Sequence, residues 1–157
     1  MTMTDAEIRQ FAAESNRIEG INFVQETEIA AYRNFLHTPS ISIDQLEYFV
    51  RTVANALLRQ FPGMDVVVGS HRPMSGGPHV KALLIEHLTR VNAGASNPYD
   101  LHCEYETLHP FADGNGRSGR ALWAWRMLRE NRDRFIHIGF LHEFYYQTLQ
   151  AHETRQS

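Results

Sequence analysis

The sequence predicts an all-α fold with one small β-hairpin. Three observations lead there. Apolar residues recur at three- and four-residue spacing along most of the chain. Ser, Thr or Asn stands just ahead of several of these runs, where a helix N-cap belongs. Only Asp65 to Gly77 joins a β-branched run to a cluster of turn residues.

Asp5 to Glu19 reads as a helix with Ile8, Phe11, Ala12, Ser15 and Ile18 along one side. Thr4 is its N-cap, with Glu7 completing a capping box, and Gly20 suits the C-cap. Glu26 to His37 is a second helix, and Thr38-Pro39-Ser40 breaks the chain. Ser42 with Gln45 opens the clearest one, marked by Ile43, Leu46, Phe49, Val50, Val53, Leu57 and Leu58 and closed by Phe61-Pro62-Gly63. Val66-Val67-Val68, Gly69-Ser70 and Ser75-Gly76-Gly77 read as the hairpin. Pro78 to Val91 is helical, with Val80, Leu83, Leu84, His87 and Leu88 inward. Asn97-Pro98 starts the next helix as cap and first-turn proline, ending near Leu108. Arg117 to Leu128 follows, with Leu122, Trp125 and Leu128 as its buried side. A last helix spans about Gly139 to His152.

With 157 residues, the chain is sized for one domain with a real core. A net charge of −3 and the lack of a basic stripe speak against a nucleic-acid partner. The arginines between Arg126 and Arg134 alternate with acids and read as a solvated helix end. No stretch approaches the ~18 apolar residues of a membrane span. Cys103 is the single cysteine, so no internal disulfide forms, which fits a cytoplasmic setting. No signal peptide is evident, although effectors can be secreted without one. No His/Cys spacing matches a zinc site, and most of the histidines read as core-rim or surface residues.

His109-Pro110-Phe111-Ala112-Asp113-Gly114-Asn115-Gly116-Arg117-Ser118-Gly119-Arg120 stands apart. It combines a base, an acid, turn glycines and two arginines. Asp113-Gly114-Asn115-Gly116 can turn successive N–H groups toward one point and form an anion-binding concavity. The helix beyond adds its N-terminal dipole, and Arg117 and Arg120 lie near one another on it. Arginines oppose the dipole in a first turn, a cost that phosphate would offset.

This segment resembles the Fic family signature HPFxDGNGRxxR, with all nine specified positions met. The resemblance extends from about residue 42 to about residue 144 as a catalytic core within a single Fic domain. It implies transfer of AMP from ATP to a Ser, Thr or Tyr hydroxyl of a target protein. His109 would be the general base, and Asp113 would hold Mg²⁺ between the α- and β-phosphates. Gly114, Asn115 and Gly116 would cradle phosphate, Arg117 would meet the β-phosphate and Arg120 the γ-phosphate. Phe111 would anchor the loop. The phosphorylating Doc-like branch carries Lys where this chain has Gly116, which favours AMP transfer. The family also places a hairpin flap at 65–77, where target backbone would add as a strand.

Ser15-Asn16-Arg17-Ile18-Glu19-Gly20 resembles the family's inhibitory motif [ST]xxxE[GN], met by Ser15, Glu19 and Gly20. The resemblance implies that residues of about 4–20 form an inhibitory helix, whose Glu19 pairs with Arg120 and blocks the γ-phosphate seat. Two other readings stay open. One is transfer of another phosphate-linked group, such as UMP or phosphocholine. The other is a non-catalytic nucleotide-binding regulator. The aromatic faces leave room for a homodimer, and Tyr145 or Tyr146 is a guess for the adenine pocket.

Overall fold

A computed structural model describes residues 3–130. The expected last helix, with Tyr145 and Tyr146, lies outside the described residues. Six helices follow in order: α1 (Asp5–Ile18), α2 (Glu26–His37), α3 (Ile43–Ala54), α4 (Pro78–Ala93), α5 (Pro98–Leu108) and α6 (Asn115–Arg129).

Local chemistry sets most boundaries. Thr4 and Glu7 close a capping box on α1, and Ser42 and Gln45 close one on α3. The Asn97 side chain caps α5 ahead of Pro98. Glu19 is the C-cap residue of α1, and Gly20 beyond it sits at φ 78°.

Helix α6 is the centre of the bundle, packed against α1, α2, α3 and α5. It is not the one-sided helix the sequence suggests. Every residue from Arg117 to Leu128 is buried. Arg126 is buried too, where a solvated position was expected. Its guanidinium donates to the carbonyls of Ala95 and Ser96 and to Glu130. This long polar chain ties the α4–α5 loop to α6. Arg129 does lie at the surface, stacked on Trp125 and donating to Thr38 O. Around α6, Phe11, Tyr32, Phe35 and Phe49 pack edge-on or tilted, joining α1, α2 and α3.

Three further expectations are corrected. The third helix does not run to Leu58. It ends at Ala54, with Asn55 in the left-handed region at φ 51°. The chain beyond spends its backbone on another partner: Ala112 N donates to Leu57 O, and Arg59 N donates to Pro110 O. Leu57 is consequently exposed while Leu58 is buried. Leu83, expected inward on α4, is 38 % exposed.

The β-hairpin is the last of these corrections. No strand forms among the described residues. Only Val68 and His71 pair, exchanging two backbone hydrogen bonds of 2.9 Å across Gly69-Ser70. Pro73 brings no N–H, so the ladder cannot continue through it. Farther out, the Met64 and Met74 carbonyls both accept from Arg59 Nη1 instead of from each other's strand.

Candidate functional site

The loop between α5 and α6 is held from three sides. Asn115 folds back on it, its Oδ1 accepting from Phe111 N at 2.9 Å and its Nδ2 donating to Phe111 O at 2.8 Å. The Phe111 ring is fully buried, opposite Leu58. Gly114 begins α6 at φ 80°, and a Cβ there would lie 2.6 Å from Ala54 Cβ. Both facts require glycine.

The third clamp is Arg59, which the sequence reading did not single out. It is fully buried, and its guanidinium donates to four carbonyls: His109 at 2.7 Å, Leu108 at 3.0 Å, Met74 at 2.9 Å and Met64 at 3.1 Å. It joins the start of the signature to the 64–74 segment. An arginine next to Leu58 in an apolar run was the available signal.

His109 caps α5 in the left-handed conformation, φ 51° and ψ 61°. Its Nδ1 lies 3.4 Å from Glu106 O. A carbonyl only accepts, so Nδ1 carries the proton in that contact and Nε2 keeps the lone pair. Burial pushes the imidazole below its ordinary value and the Arg59 charge adds to this, against the opposing Glu106 carbonyl hydrogen bond and Asp113 charge. Neutral His109 is the form that can accept a proton.

A cavity of about 360 Å³ opens here, lined by Glu19, Val66, Val67, Val68, His109 and Ala112 to Arg117. Asp113, exposed at its edge, accepts from Gly114 N at 2.8 Å through Oδ1. Helix α6 starts without a side-chain cap, and its first turn lines the cavity, so that turn's N–H groups suit an anion. Arg117 is buried and donates to Val53 O at 2.6 Å. That bond ties it to the end of α3.

Arg120 is only 2 % exposed. Its Nε donates to Ser15 Oγ at 2.8 Å, and its Nη2 donates to Ser15 O at 3.0 Å and to Glu19 Oε1 at 2.7 Å. Glu19 lines the cavity, and its Oε1 occupies the space where a Cβ on Gly116 would stand. The structure thus gathers His109, Asp113, Gly114, Asn115, Gly116 and Arg117 around one cavity. Arg120 lies behind Glu19 on the helical side.

Residues 78–127 match the family model described as Fic/DOC family. The match runs from the start of α4 into the last turns of α6 and includes the whole loop. That stretch, about a third of the chain, is similar to Fic/DOC proteins. Ser15 and Glu19 fall outside the matched residues. No curated protein matches the chain. No helix among the described residues is long and apolar enough to cross a membrane.

The residues fit the magnesium that a Fic reading implies. No group of three His, Cys, Asp or Glu forms a metal cage among the described residues. Two carboxylates line the cavity; Glu19 is paired to Arg120, and Asp113, with Oδ1 engaged to Gly114 N, is the other. One carboxylate suits Mg²⁺, which takes most of its ligands from phosphate and water.

Proposed function

We propose that this chain is a self-inhibited protein adenylyltransferase that moves AMP from ATP to a Ser, Thr or Tyr hydroxyl of a target protein. The observation that carries the reading is the cavity between His109 and the start of α6, closed on one side by a Glu19 that is paired to Arg120.

In this reading Nε2 of His109 takes the proton of the target hydroxyl. The oxygen attacks the α-phosphorus, the bond from that phosphorus to its bridging oxygen breaks, and pyrophosphate leaves. The uncapped N–H groups of Asn115, Gly116 and Arg117 hold the phosphates where negative charge develops. Asp113 would hold Mg²⁺, which would supply neutralising charge to the bound phosphates. Arg117 faces the β-phosphate and Arg120 the γ-phosphate once Glu19 withdraws. With Glu19 in place, its carboxylate holds Arg120 and repels a γ-phosphate, so ATP cannot settle productively. Phe111 and Asn115 keep the loop rigid. The 66–68 segment beside His109 is where target backbone would approach. The single, buried Cys103 accords with a cytoplasmic setting.

Labelled ATP with Mg²⁺ tests this. The Glu19→Gly chain should label itself more strongly than the parent, and Glu19→Gly/His109→Ala should not label. Labelling that persists without His109 removes the proposed base. The mass added distinguishes AMP from UMP or phosphocholine when those donors are supplied.

A further inference from the structure

Residues 19–25 turn the chain from α1 into α2, and one buried side chain ties this elbow down. Asn16 is fully buried. Its Nδ2 donates to Phe23 O at 2.9 Å and to Glu28 Oε1 at 3.2 Å. Its carbonyl accepts from Glu19 N and from Ile21 N, both at 2.9 Å. Glu28, in the first turn of α2, is buried too, and its other oxygen accepts from Gln25 N at 2.8 Å. The Oδ1 of Asn16 is buried and accepts no hydrogen bond among the described residues. The two N–H donors are therefore what this side chain contributes.

Packing does little else for the elbow. No residue from Arg17 to Thr27 is buried. Phe23 is 65 % exposed, and Val24 is half-buried against the core. The body of α1 is anchored differently. Ile8, Phe11 and Ala12 are fully buried. Outside them, Arg9 meets Glu26 at 2.7 Å and Arg33 meets Asp5 at 2.9 Å, which ties α1 to α2. Ser15 holds Arg120 from the helix itself, whereas Glu19 reaches Arg120 from the first position of the elbow.

We infer that Asn16 is a positioning residue acting through Glu19: its amide fastens the elbow to α2 and so keeps the Glu19 carboxylate on Arg120. Its bearing on inhibition rests on the function proposed above. Glu19 is released when the elbow opens, while Ser15 stays on Arg120 and the body of α1 stays docked. Loss of the Nδ2 donors frees Phe23 O and leaves Glu28 Oε1 without its donor. Backbone freedom returns to residues 19–25, and Glu19 spends less time on Arg120.

Amide exchange, labelling and nucleotide binding on the full chain test it. In the parent, the Glu19 and Ile21 amides should exchange through a local opening that leaves Phe11 and Ala12 protected. One opening shared by all four would mean that α1 undocks whole, and the inference fails. Asn16→Ala, and the near-isosteric Asn16→Asp, should quicken exchange at Ile21 and spare Phe11 and Ala12. With labelled ATP and Mg²⁺, either variant should raise auto-labelling roughly fivefold, the effect of one lost hydrogen bond. In the Glu19→Gly chain the same substitutions should change nothing, because no carboxylate remains to be positioned. Equal gains in both backgrounds, or no gain in the parent, overturn the inference. Affinity for ATP should rise in Asn16→Ala while affinity for ADP, which has no γ-phosphate, stays level. A parallel rise for both nucleotides would show a general structural effect and sink it as well. If Glu19→Gly neither binds ATP nor labels itself, the proposed function fails, and the exchange measurements then decide for or against Asn16 as the residue that holds the elbow.

Discussion

Glu19 Oε1 lies 2.7 Å from Nη2 of Arg120, although 101 residues separate them in the chain. One partner is almost fully buried and the other is 38 % exposed. The arginine is thus fixed by its surroundings, and the glutamate is the side that can leave. Ser15, on the same face of α1 one turn earlier, holds the other edge of the guanidinium.

Ser15→Ala should raise auto-labelling less than Glu19→Gly does. It deletes one neutral acceptor from Arg120 and leaves the Glu19 charge in the cavity. It should also cost about 1.5–3 kcal/mol of stability, the range for a hydrogen bond to a charged group. Denaturant titration beside the labelling assay separates the two effects. Labelling by Ser15→Ala equal to that of Glu19→Gly would mean that docking of α1, rather than the Glu19 charge, restrains the chain.

The pH profile of transfer follows from His109. Its folded value is lowered, chiefly by burial. On the proposed function the base form predominates at neutral pH, and activity falls as pH drops through the lowered value, below the ordinary 6.5. Initial rates of Glu19→Gly should be flat through neutrality and decline on acidification. A midpoint above 6.5 would contradict this environment for His109.

Arg59→Met should destabilise the chain by roughly 2–4 kcal/mol, because buried carbonyls lose their donors. Arg59→Lys should recover little of that. An ammonium cannot span four carbonyls with the geometry of the guanidinium fork. Unfolding midpoints of the two variants check this. A near-neutral Arg59→Met would show that the loops close without the clamp.

Gly114→Ala meets two obstacles, the positive φ and the 2.6 Å contact with Ala54 Cβ. Together they should cost about 2–4 kcal/mol. Adding Ala54→Gly relieves the contact but not the backbone strain. A double-mutant cycle should show that coupling, whereas full additivity would mean that the two residues do not meet.

Acid stability depends on His87 and His102. Burial holds them at about 4 and about 3, below the ordinary 6.5. Between those values and 6.5 the unfolded chain binds more protons than the folded one. Their contribution is complete above 6.5 and is lost as pH falls toward 4 and then 3. His87→Gln should flatten the dependence by up to one proton, about 1.4 kcal/mol per pH unit. Unfolding free energies from pH 4 to 6.5 measure it.

Most helix positions were legible because their causes are local. Capping boxes at Thr4 and Ser42 and the Asn97-Pro98 start act within four residues, and periodicity marked the buried faces. The signature was legible for the same reason: its glycines, Asp113 and Arg120 occupy twelve consecutive positions. The misreadings share the opposite cause. The apolar run after Ala54 looks helical until Leu57 and Arg59 meet the signature loop. The 65–77 segment looks like a hairpin until Arg59 takes the carbonyls of Met74 within it and Met64 just ahead of it. Arg126 looks solvated until the α4–α5 loop closes over it.

By itself the sequence determined where most helices begin and marked the loop that comes to line the cavity, because backbone propensity and short-range hydrogen bonds act between near neighbours. Tertiary packing alone decided that Arg120 meets Ser15 and Glu19 and that Arg59 ties four carbonyls together. Those outcomes depend on which distant groups share a dry interior, where each buried polar atom must find a partner or surrender its charge.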